Sequence, residues 1–321
     1  MISYAQNFED VLLHRVFPDR KEGFYIDVGA MDPVLESVTK FFYDEGWSGI
    51  NIEPNEWFYS KLLQERPRDI NLRLALGDRE ENRELHVFEQ YGISTFEESH
   101  RDRFVELGYE AKPKTARVST LAAVCRDFVR REIDFLKVDC EGWEESVLRG
   151  ADWDRFRPIV VLVEATAPGT TTPTWREWEP FLIEQARYDL AYFDGLNRFY
   201  VRREYADLRC HFEVPPNVFD GFKVYATEKA EQTAEALKQE RDGLAGRVAE
   251  LEEKLNGAIA ENQRLAEALH AKEAEMEAQA VRAHGQIAEL ERERSELDQR
   301  LRKTRLWVGQ LSQDLAASRR R

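Results

Sequence analysis

Short apolar runs rich in β-branched residues alternate along the chain with longer segments whose apolar positions recur every three to four residues. The short runs fall at 24–28, 49–52, 71–76, 133–138, 159–163, 190–193 and 198–201, and their length and composition predict strands. Between them, 36–45, 56–65, 121–131, 143–149 and 175–187 carry the period of amphipathic helices. Strands alternating with helices predict an α/β, doubly wound fold in which a mostly parallel sheet is covered on both faces. Only Asp194-Gly195-Leu196-Asn197, a turn sequence, separates the last two runs, which predicts an antiparallel hairpin at one edge.

The pattern changes near residue 227. Leu237, Leu244 and Leu251 recur every seven residues, with Val248 and Leu255 four residues on from the last two. The repeat returns at Ile287, Leu290, Leu297, Leu301, Val308, Leu311 and Leu315. Such a seam predicts a long C-terminal coiled-coil helix, with a skip or weak hinge over 272–285, where Ala and His take the core positions. Parallel dimerisation through residues 237–315 is the expectation; a single charged helix or a docking segment for another protein is the alternative. Residues 228–321 hold one aromatic, Trp307, and none of the eleven prolines. The chain therefore reads as a globular domain, 1–227, followed by an α-helical tail, 228–321.

Charge narrows the partners. The net charge of −15 falls mostly on the globular part, with 29 basic against 42 acidic residues, whereas the tail has 17 against 19. An acidic domain repels phosphate backbones, so no nucleic acid is expected as partner, and a neutral or cationic acceptor fits better. The terminal Arg319, Arg320 and Arg321 read as a solvated end rather than a contact for an acidic surface. Cys125, Cys140 and Cys210 form neither a disulfide framework nor a metal signature, which predicts a cytoplasmic location. No apolar run reaches the length of a transmembrane segment, and the N-terminus does not read as a secretory signal.

Candidate chemistry gathers at the predicted strand ends, where such sheets bind ligands. The first strand leaves through Asp27-Val28-Gly29-Ala30, the second ends in Glu53, the third in Asp78. A carboxylate at the second tip can accept both hydroxyls of a ribose, and one at the third can accept an adenine amino group. The fourth strand ends in Asp139 and Glu141, two carboxylates able to take a proton from an acceptor hydroxyl. Each of these residues also has a plainer reading, as a helix cap or turn residue. Asp139, Glu141 and Glu164 could converge on a metal, but no His cluster supports it, and no metal is expected. His14, His86, His100 and His211 are scattered and read as structural.

Several stretches together resemble the FkbM family of methyltransferases. They are Ser3-Tyr4-Ala5-Gln6-Asn7-Phe8-Glu9-Asp10, the Asp27-Val28-Gly29-Ala30 turn, Gly46-Trp47-Ser48-Gly49-Ile50 leading into Glu53-Pro54, and above all Leu136-Lys137-Val138-Asp139-Cys140-Glu141-Gly142. The resemblance spans residues 3 to 203. It implies a class I, Rossmann-like methyltransferase fold, where an edge hairpin is usual. It also implies S-adenosylmethionine as cofactor and methyl transfer to a hydroxyl, in many members on a sugar or other glycan-related acceptor. By it, Asp27, Gly29, Ala30, Glu53 and Asp78 become cofactor contacts, and Asp139 with Glu141 the catalytic pair. One departure is Ser119-Thr120-Leu121-Ala122-Ala123, where the family often has an acidic residue after Thr-Leu. A nicotinamide dehydrogenase is disfavoured because the first turn lacks GxGxxG. A non-catalytic methyltransferase-like scaffold, acting through the coiled coil in a surface-polysaccharide assembly, is the rival from another class.

Overall fold

The structure is a computed structural model and describes residues 1–88, 93–269 and 277–318. The chain divides into two compact units, Met1–Val224 and Tyr225–Arg321.

Seven strands build the main sheet of the first unit: β1 (Phe24–Val28), β2 (Ser48–Ile52), β3 (Ile70–Leu72), β4 (Phe135–Val138), β5 (Val160–Glu164), β6 (Tyr188–Phe193) and β7 (Asn197–Arg202). Their lateral order is β6-β7-β5-β4-β1-β2-β3. Only β7 runs antiparallel to its neighbours; the other pairings are parallel. The edge hairpin therefore stands where the turn sequence put it.

Successive side chains of a strand point to opposite faces, and both faces here are buried. On one, Ile26, Val28, Leu136, Val138, Val161 and Val163 pack with α5 (Leu121–Phe128) and α6 (Glu144–Arg149). On the other, Tyr25, Phe135, Val160 and Leu162 pack with α1 (Glu9–Val16) and α2 (Lys40–Asp44). Each such aliphatic side chain, fully buried, contributes about 1.5–3 kcal/mol. α3 (Glu56–Glu65) begins at Asn55, whose side chain accepts the Trp57 N–H at 3.0 Å.

Three expectations are corrected. The run at 71–76 is not one strand: β3 stops at Leu72, while Ala75–Leu76 joins a second, four-stranded sheet with Glu81–Phe88, Ile93–Thr95 and Lys112–Ser119. Leu72 pairs with the last residue of β2, and Pro54, just beyond, has no N–H to extend the ladder. The segment 175–187 is helical only over residues 179–185, entered through a turn at 175–178 and closed by the π-helical turn Phe181–Gln185. The segment 36–45 is helical only over Lys40–Asp44; Glu36 takes a φ of 58° and bridges to Ala5 instead.

The second unit is not one extended helix. α7 (Tyr225–Leu269) and α8 (Glu277–Ser318) pack on each other through Leu244, Val248, Leu251, Leu297 and Leu301. Glu252 faces Arg294 and Glu240 faces Arg300, a pairing in which one helix ascends as the other descends. These five seam residues find their partners within one chain. Of the expected hinge at 272–285, residues 272–276 lie outside the described residues, as do Arg319 to Arg321. No helix among the described residues is long and apolar enough to cross a membrane.

Candidate active site

The carboxyl ends of β1, β2, β4 and β5 open into a cavity of about 650 Å³, a size that suits a small molecule. Its floor is built by the first strand's exit turn. Gly29 has φ 75°, and a Cβ there would stand 1.8 Å from the Asp139 carbonyl oxygen, so only glycine lets the β1 and β4 exits meet. The Gly29 and Ala30 N–H groups both donate to the Ile52 carbonyl, at 3.0 and 3.2 Å, which pins the turn to the end of β2.

Glu53 comes next, just past the end of β2. Its two oxygens accept the Met31 N–H at 2.9 Å and the Asn55 N–H at 2.7 Å, and it lines the cavity. Burial pushes its carboxyl up to about 7, against the pull of those two N–H groups and of Lys137.

Under the floor lies Lys137, a charged residue in the middle of a buried strand. Its Nζ donates to the Gly29 carbonyl at 2.9 Å and stands 3.5 Å from Asp27 and 3.3 Å from Asp139. Burial pulls its pKa down, but Asp139 and Asp27 outweigh that and hold the ammonium firmly charged. Asp27 is itself buried beneath the turn and takes the Thr39 hydroxyl at 2.9 Å; it supports the floor without lining the cavity.

After Asp139 the chain turns sharply. Glu141 adopts φ 52° and Gly142 φ 97°, a pair of left-handed positions that costs a non-glycine residue energy unless the surroundings hold it. Three groups hold it. Glu144, at the start of α6, reaches back to accept the Cys140 and Gly142 N–H groups at 2.9 and 3.1 Å. Thr95 Oγ1 donates to the Glu141 carbonyl at 2.9 Å, and His100 Nδ1 meets the same oxygen at 2.9 Å. Thr95 belongs to the second sheet and His100 to α4 (Glu98–Glu106), so this lobe clamps the loop that carries Glu141.

Glu164, at the tip of β5, completes a carboxylate group with Asp139, Glu141 and Glu144. Burial raises Glu141 to about 8, with Asp139 and Glu144 adding to it, and raises Glu144 to about 7. Burial and then Asp139 push Glu164 well above the usual carboxylate range. Among the described residues, no group of three or more His, Cys, Asp or Glu side chains is arranged to hold a metal ion.

Of the residues singled out from sequence, Gly29, Ala30, Glu53, Asp139 and Glu141 line one cavity, and Asp27 lies just beneath it. Asp78 does not join them. It sits on the exposed turn after Leu76, 3.9 Å from Arg79, because the third run leaves the main sheet before reaching it. Ala75, Leu76, Phe96 and Trp143 line that side instead, and Trp143 Nε1 is buried there without a hydrogen-bond partner.

Sequence reasoning gave no role to Lys137, Glu144, Thr95 or Gln6. Lys137 was detectable as a charge inside an otherwise apolar run. Gln6 reaches the cavity because the N-terminal loop is tied down: Asp10 accepts from Ser3 Oγ and the Tyr4 N–H, both at 2.7 Å, and Glu9 accepts from Asn7 N and Asn197 Nδ2.

A sequence profile for the methyltransferase FkbM domain matches residues 27–190, just over half of the chain. The chain belongs to the FkbM methyltransferase family. The match runs from the last two residues of β1 to the start of β6, and takes in the carboxyl ends of β1, β2, β4 and β5 that open into the cavity. No curated protein matches closely enough to add a relative to this FkbM assignment.

Proposed function

We propose that the chain is an S-adenosylmethionine-dependent O-methyltransferase acting on a hydroxyl of a sugar or glycan-related acceptor, with 1–227 as the catalytic domain. The observation that carries this is Glu53. Its carboxylate is fixed by two backbone N–H groups, each oxygen keeps a lone pair, and the residue lines the cavity beside the Gly29 turn. A vicinal diol such as a ribose can donate to both oxygens. The strand order, with one antiparallel strand next to the edge, supports a class I, doubly wound methyltransferase fold. The residues fit the cofactor: an orphaned indole N–H on the Trp143 side and carboxylates on the Asp139 side suit a ligand that is a nucleoside at one end and a cation at the other.

S-adenosylmethionine, when bound, supplies an electrophilic methyl on a positively charged sulfur. The chain's own tasks are alignment, exclusion of water and removal of the acceptor proton. Gly29, Ala30 and Glu53 hold the donor side, and Asp27 keeps Lys137 under them. Asp139, fixed through Lys137, sets the geometry of the transfer point. Glu141, lifted to about 8, is a base matched to an alcohol proton near neutral pH. The three thiols are unpaired, which supports the cytoplasm as the compartment. The second unit is proposed to pair with a second copy or a protein partner through residues 237–315, where Leu306 and Trp307 remain exposed.

The test is calorimetric titration of S-adenosylmethionine and S-adenosylhomocysteine into the full chain. Wild type should bind both. Glu53→Gln should weaken both at least about tenfold, or about 1.4 kcal/mol, with its melting temperature checked alongside. A folded wild type that binds neither ligand refutes the enzyme reading and favours a scaffold that works through the helical unit.

A further inference from the structure

Carboxyl groups outnumber cations in the cavity, and the excess points to the acceptor. Glu36, Glu53, Asp139, Glu141 and Glu164 line it, against a single basic side chain, Lys137. That ammonium is already shared between Gly29, Asp27 and Asp139. Glu53 has its two N–H donors and the proposed diol. A bound S-adenosylmethionine brings one net positive charge, enough for one further carboxylate. Among the described residues, neither Glu141 nor Glu164 forms an ion pair with a basic side chain; Glu164 has the Asp139 carboxyl within hydrogen-bonding reach, and its buried Oε2 receives no hydrogen bond from an N–H or hydroxyl group. Ser94 Oγ, also lining the cavity, is buried and unpartnered as well.

Building on the methyltransferase reading above, we infer that the acceptor carries a protonated primary amine beside the hydroxyl it offers, as an amino sugar does, and that Glu164 binds the ammonium. A neutral hydroxyl would give Glu164 Oε2 a donor but no charge; an ammonium gives both. Burial keeps the proton on the free Glu164 carboxyl, and an ammonium beside it favours the charged form, so that binding displaces that proton to solvent. The nitrogen, held as an ammonium, has no lone pair, so the methyl goes to oxygen and the hydroxyl proton to Glu141. Phosphorylated acceptors are disfavoured, because no free cation faces the cavity among the described residues to receive a phosphate.

The experiment uses the full chain saturated with S-adenosylhomocysteine and titrated with glucosamine, glucose, N-acetylglucosamine and glucose 6-phosphate near neutral pH. Glucosamine should bind at least about tenfold more tightly than the other three, the N-acetyl sugar showing that charge rather than bulk is read. Glu164→Gln should remove that preference and leave S-adenosylhomocysteine affinity as it was. If glucosamine binds no better than glucose, including the case where no sugar binds, the inference is wrong, whatever the variant does. If S-adenosylhomocysteine itself does not bind, the methyltransferase reading fails first and takes this inference with it.

Discussion

Lys137 ties two strand exits together with one ammonium, and its replacement shows what that is worth. Lys137→Met would leave Asp27 buried opposite no charge, and breaking a buried pair in this way costs about 3–5 kcal/mol. Urea unfolding should register that loss together with loss of S-adenosylhomocysteine binding. Gly29→Ala should cost about 1–3 kcal/mol from its φ of 75° and from the approach to Asp139, and should abolish donor binding even where the protein still folds. The buried carboxyls set a pH dependence. Glu9 and Glu141 rise to about 8, Glu53 and Glu144 to about 7, all from 4.5. Between those limits the folded chain binds more protons than the unfolded one, so stability falls as pH rises. The melting temperature should be higher near pH 5.5 than near pH 8.5, and Glu9→Gln should narrow the gap; a melting temperature that rises over that range would mean the carboxyls ionise in the fold at their ordinary pKa. At this scale Glu53, Asp139 and Glu141 were legible because strand ends are legible. Asp78 misled because Leu72, Leu74 and Leu76 alternate as one strand would, and nothing local marks the change of sheet after Leu72.

Among the elements, the second sheet carries the most unexpected work. Glu81–Phe88 and Lys112–Ser119 are half polar, with only their inner ends buried, so their apolar signal is too short to read as strands. Yet Thr95 and His100 from this lobe hold the Glu141 carbonyl and so the aim of its side chain. Thr95→Val keeps the shape and removes one donor; it should cost about 1 kcal/mol in urea unfolding, and circular dichroism should show the fold intact. The N-terminal loop follows the same logic. Asp10 is fully buried and accepts from Ser3, Tyr4 and Ala5, so Asp10→Ala should destabilise by about 3 kcal/mol and release Gln6 from the cavity wall. The opening residues of the FkbM-like pattern were visible in the sequence, but their purpose was not, since it depends on Asn197 and Glu36, which the chain brings alongside only when folded.

For the whole molecule, two units with separate cores imply two separable unfolding events. Leu297→Ala removes a side chain from the core shared by α7 and α8 and should lower the helical transition by about 2–5 kcal/mol in calorimetry, leaving the other transition unchanged. A heptad pattern records that a seam is buried but not by which helix, which is why a partner chain and a fold-back read alike in sequence. The buried ammonium under the cavity floor has a consequence for how such a protein can change. Because one side chain ties together the β1 turn, proposed to face the donor, and the β4 exit, proposed to face the acceptor, the strand tips form a single block that tolerates little piecemeal alteration. Gln6, Phe104, Thr170 and Leu196 reach the same cavity from four separate segments outside that block. Variation that redirects the enzyme to new acceptors has its freedom there, and a library aimed at those four positions samples new specificity without touching the chemistry.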